Sequence, residues 1–120
     1  MKYINYNVLS ASDHATTSGS KIDTDQLWSV SFHAYFGDST AAGTFKIQAS
    51  NDLAPTHYTA NSNFTVTNWV DVPSATASIA SGVSGLVTIT QLSYRWLRAV
   101  YTRSSGGSTT VVVEMMAISL

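Results

Sequence analysis

The sequence predicts an all-β fold: a two-sheet antiparallel β-sandwich of about eight strands in jelly-roll or Greek-key order. Three observations predict it. Apolar residues recur at every second position in successive runs, Gly, Pro, Ser and Asn clusters interrupt those runs at short intervals, and no segment carries a clear helical period. Alternation puts one set of side chains on each face of an extended strand, so one face can be buried while the other meets solvent.

The first strand is the run Tyr3 to Leu9. Asp13 to Asp25 is rich in Ser and Thr and contains Gly19, so it reads as a long connection with room for one helical turn. Asp23 and Asp25 flank Thr24 just before the next strand, a placement that suits turn capping. From Trp28 to Phe36, the residues Trp28, Val30, Phe32, Ala34 and Phe36 share one face, and Ser31, His33 and Tyr35 share the other. His33 is therefore expected at an exposed or interface position. Residues 37–43 carry turn chemistry and lead into Thr44 to Ser50, where Phe45, Ile47 and Ala49 point inward. These two strands are expected to form a hairpin or to lie as near neighbours.

Asn51 to Asn63 is polar and contains Pro55, as an excursion loop at one end of a sandwich does. Phe64 to Val72 is read as the next strand, ended by Pro73-Ser74, with Ala75 to Ala80 a short strand after it. Residues 81–85 form a turn into Leu86 to Leu92. Tyr94 to Thr102 has large side chains on both faces, as a strand covered on both sides has. Residues 104–108 are read as a hairpin loop, followed by the last strand, Thr109 to Ser119. Its apolar run Val111-Val112-Val113, with Met115 and Met116, would be an aggregation hazard at an open edge. The strand is therefore expected to be central, or covered by a symmetric neighbour.

The 120 residues suit a single domain spanning 1–120. Only 11% are charged, against roughly 25% in an average soluble domain. Six basic and seven acidic residues are scattered along the chain, which leaves no electrostatic footprint for nucleic acid. No stretch reaches the ~20 apolar residues of a membrane span, and the opening Met1-Lys2-Tyr3-Ile4-Asn5 lacks the apolar core of a secretory signal. Cysteine is absent, which removes disulfides, thiolate nucleophiles and Cys-type zinc sites. A near-neutral surface rich in Ser and Thr has little repulsion to keep copies apart. Self-association is expected.

The three histidines, His14, His33 and His57, lack the spacing that lets two imidazoles share a metal. The seven carboxylates show no pair set for acid–base work, and no nucleophile elbow, phosphate loop or dinucleotide fingerprint occurs. No catalytic residue, metal ligand or cofactor is assigned. Most of the thirteen aromatic residues fall at inward positions, whereas Tyr58, Phe64 and Trp69 cluster in or just after the long loop. An aromatic platform there could stack on a sugar, and packing of Trp69 against its own loop is the structural alternative. Arg95, Arg98 and Arg103 punctuate one strand and are expected to tie loops or carboxylates together.

Three pieces in order, Gly43 to Asp52, then Asn68-Trp69-Val70-Asp71-Val72, then Tyr94 to Thr102, resemble the small β-sandwich proteins of tailed bacteriophages. The same order of a Ser-Asn-Asp strand end, a Trp strand and a Tyr-x-x-x-Arg strand is also similar to the discoidin-like, galactose-binding jelly roll. Both resemblances run over roughly residues 26 to 119. The first implies a non-enzymatic virion component, such as a capsid decoration, head-fibre or spike-base subunit, assembled in the host cytoplasm. Its partners would be copies of itself in a ring and other virion proteins such as the major capsid protein. The second implies a carbohydrate-binding module with Tyr58, Trp69 and His57 at the glycan. The cysteines that often bracket discoidin-like modules are missing here.

Overall fold

Among the described residues nine strands form where the sequence alternates: β1 (Lys2–Ser12), β2 (Thr17–Ser18), β3 (Ile22–Asp23), β4 (Leu27–Phe36), β5 (Ala42–Ser50), β6 (Val70–Ala80), β7 (Gly85–Ile89), β8 (Trp96–Ser105) and β9 (Thr110–Ser119). The computed structural model describes residues 2–12, 17–36, 42–52, 65–80, 83–90, 92–105 and 110–119. Sheet A has the order β1-β9-β4-β7, and sheet B the order β2-β8-β5-β6 with β3 also on β8. Every pairing is antiparallel.

β2 and β3 are two halves of one interrupted strand. Ser18 lies opposite Val100 and Ile22 opposite Leu97, so β2–β3 advances four residues while β8 advances three. With the halves counted as one, eight strands run 1-8-3-6 in one sheet and 2-7-4-5 in the other. That is jelly-roll order. The last strand is central, between β1 and β4, as its apolar sequence requires.

Inward residues of both sheets close the core. Val30, Phe32, Val111, Val113 and Met115 come from sheet A, and Phe45, Ile47, Ile79, Leu97 and Tyr101 from sheet B; all are almost fully buried. Burial of each such side chain contributes about 1.5–3 kcal/mol. The edge of Phe36 meets the Tyr101 ring at 5.9 Å and 85°, a favoured aromatic geometry. Gly85, on β7, lies so close to sheet B that an added Cβ would come within 2.8 Å of the Phe45 ring. At Gly19, a Cβ would stand 2.3 Å from the Val8 carbonyl oxygen, so the two sheets touch there through backbone.

Six sequence expectations are revised. Trp28 does not share the buried face: a register shift between Leu27 and Ser29 turns it outward, 44% exposed, and Leu27 packs on the core instead. β4 and β5 are not a hairpin, since they lie in opposite sheets, and so do β8 and β9. Pro73-Ser74 does not end a strand. Between Lys46–Thr76 and Gln48–Asp71, β5 advances two residues and β6 five, so Pro73 sits in a bulge on an edge strand, where a missing N–H costs no ladder bond. Val72 and Ala75 both turn into the core across that bulge. Finally, strand pairing in the Phe64 to Val72 run begins only at Val70, and the Asp13 to Asp25 connection holds β2 and β3 rather than a helical turn among its described residues.

Candidate functional site

The Ser50-Asn51-Asp52 end of β5 organises one end of sheet B. Ser50 Oγ accepts from the Asp52 N–H at 3.1 Å, and Asn51 Oδ1 accepts from the Arg95 N–H at 2.8 Å. Asp52 Oδ2 accepts from the N–H groups of Thr67 at 2.9 Å and Asn68 at 3.2 Å, while Asn68 Nδ2 donates to Oδ1 at 2.7 Å. These donors, Thr67 first, hold the Asp52 carboxyl below its ordinary range. The Asp52 carbonyl accepts from Trp96 Nε1 at 3.1 Å. Trp96 faces outward from sheet B and is still fully buried, with the Arg95 guanidinium 4.2 Å from its ring. Arg95 also pairs with Asp23, tying β3 to β8, and Asp23 accepts from the Asp25 N–H at 2.9 Å in the expected turn cap.

A polar ladder crosses the outer face of sheet B. Lys46 donates to Asp71 at 3.2 Å, Gln48 Nε2 donates to Asp71 at 2.9 Å, and Arg98 Nε donates to Gln48 Oε1 at 2.8 Å. Gln48 and then Lys46 hold the Asp71 carboxyl low. Arg98 lies 4.4 Å from the centroid of the Trp69 ring, and Trp69 Nε1 donates to the Val66 carbonyl at 3.1 Å. Trp69 is thus half-buried and anchored to its own loop. His57, Tyr58 and Phe64, expected beside it, lie outside the described residues, as does His14. Among the described residues no three His, Asp or Glu side chains gather as metal ligands do.

The outer face of sheet A differs. Cross-strand rows place Val112 beside Tyr35, Glu114 between Asn7 and His33, Met116 between Asn5 and Ser31, and Ile118 between Tyr3 and Ser29. Leu86 extends the His33 row. Tyr3 is 72% exposed, Leu86 66% and Met116 39%. Glu114 is the one formally charged side chain described on this face, and the Tyr35 hydroxyl donates to it at 2.7 Å. That bond to Glu114 raises the Tyr35 pKa. The His33 ring tilts against Tyr35 at 5.2 Å, and His33 is exposed as expected. Lys21, Gln48 and Leu86 carry no functional mark in the sequence, because nothing in their neighbours sets them apart. Their roles depend on which strands become adjacent.

These features define an antiparallel jelly-roll sandwich with one polar, internally bonded outer face and one outer face poor in charge. No family model matches the chain, and no curated protein matches it in sequence. Among solved structures, the SPBc2 prophage-derived protein YomS is similar, with a TM-score of 0.57 and 10% identity over 98% of this chain and 94% of that one. At that identity the likeness is one of fold. It joins the sandwich to a protein of phage origin.

Proposed function

We propose that the chain is a non-enzymatic structural component of a phage particle, which assembles with copies of itself through the outer face of sheet A. The observation that carries this reading is the contrast between the two outer faces. The outer face of sheet B carries a hydrogen-bonded polar ladder of Lys46, Asp71, Gln48 and Arg98. Among the described residues, the outer face of sheet A sets Tyr3, Leu86, Met116 and Ile118 among uncharged Asn and Ser side chains around a single carboxylate, and exposed apolar side chains on a face poor in charge are a feature of interaction sites. The prophage origin of a protein with this fold supports the phage setting, with other virion proteins such as the major capsid protein as further partners. Closed symmetry would let one patch meet its own copy.

Light scattering coupled to size-exclusion chromatography tests the proposal. The expected mass rises with loading concentration for the unaltered chain and stays monomeric for the double variant Leu86→Lys, Met116→Lys, with matching circular dichroism for both. A monomer at every concentration for the unaltered chain would sink the self-assembly reading.

A further inference from the structure

Two cations on the side of sheet B lack a carboxylate. Lys46 pairs with Asp71 and Arg95 with Asp23, whereas Lys21 and Arg98 have no ion pair among the described residues. Both line one cleft of about 240 Å³, together with Gly19, Thr65, Val66 and Trp69. Among the described residues, no acidic side chain lines it. Arg98 is held in place: its Nε donates to Gln48, and its guanidinium carbon lies 4.4 Å from the centroid of the Trp69 ring, whose indole N–H is bound to the Val66 carbonyl. The Nη groups of Arg98 have no hydrogen bond to a described residue. Burial lowers the Arg98 pKa, although a guanidinium stays charged at neutral pH.

We propose that this cleft binds a sugar bearing a phosphate or carboxylate group. A half-buried, immobilised guanidinium without a counter-ion gains from a bound oxyanion, because its planar donors match phosphate and carboxylate geometry. The Lys21 ammonium adds a second positive charge, and the Trp69 indole that lines the cleft beside Arg98 gives a sugar ring an apolar wall. The charge selects against neutral sugars, which distinguishes the site from a galactose-type platform. It lies on the opposite sheet from the proposed assembly face and does not depend on it.

Nuclear magnetic resonance titration of the full chain with glucose 6-phosphate, glucuronate, inorganic phosphate and glucose tests the site. Both anionic sugars are expected to shift the amide signals of Gly19, Thr65 and Val66 and the Trp69 indole N–H, while glucose leaves them in place. Affinity for the anionic sugars is expected to fall about tenfold in Lys21→Gln and in Arg98→Gln, and to weaken as salt is added. Lys21 makes no hydrogen bond to a described residue, so Lys21→Gln reads binding apart from folding. Absence of shifts with both anionic sugars would overturn the proposal. So would equal shifts with glucose, affinity for inorganic phosphate equal to that for glucose 6-phosphate, or unchanged affinity in Lys21→Gln.

Discussion

Gln26 has φ of 69° at the third position of a turn closed by the Leu27 N–H donating to the Thr24 carbonyl at 3.0 Å. Positive φ there defines a type II turn, a position that favours glycine and strains a side chain by about 1 kcal/mol. Gln26→Gly is therefore expected to raise stability by up to about 1 kcal/mol, and the β-branched Gln26→Val to lower it, as read by urea unfolding. Ser74, at φ 62°, meets the same constraint inside the β6 bulge. Single residues were legible where alternation ran unbroken: Val30, Phe32, Ala34, Phe45 and Ile47 are all buried as their spacing demands. Trp28 was not, because one extra residue in β4 reverses the side chain without altering the local sequence pattern.

At the scale of elements, the Ser50-Asn51-Asp52 corner joins three parts of the chain by hydrogen bonds from short side chains. Asp52 clamps Thr67 and Asn68, which return the long loop to β6, and Asn51 holds Arg95 at the entry to β8. Because the folded state depresses the Asp52 pKa below its ordinary 3.8, its contribution is complete above that value and is lost as pH falls through the lower folded value. The expected melting temperature drops on acidification below about pH 4. In Asp52→Asn it is lower at pH 7 and falls less steeply with acid, a comparison that calorimetry across pH checks. The sequence marked this corner, since Ser, Asn and Asp in series favour side-chain-to-backbone bonds. The sheet each strand joins could not be read from the same pattern. β4 and β5 have equally good inward faces and meet across the core instead of along an edge.

For the whole molecule, association and stability are linked, because anything that binds only the folded form raises the apparent melting point. The melting temperature of the unaltered chain is expected to climb with protein concentration, and that of the Leu86→Lys, Met116→Lys variant to stay constant; differential scanning calorimetry at several concentrations checks it. Two layers and a central last strand followed from composition and alternation, whereas β2 and β3, the single strand β6 and the charge contrast between the outer faces emerged only with the fold. One further consequence lies in the position of β9. Among the described residues β1 pairs only with β9, and β4 reaches β1 only through it. A ribosome must therefore release residues 110–119 before half of the sandwich can close. Until then β1 lacks its strand partner and β4 pairs with β7 alone, so a truncation before Thr110 leaves sheet A in two pieces.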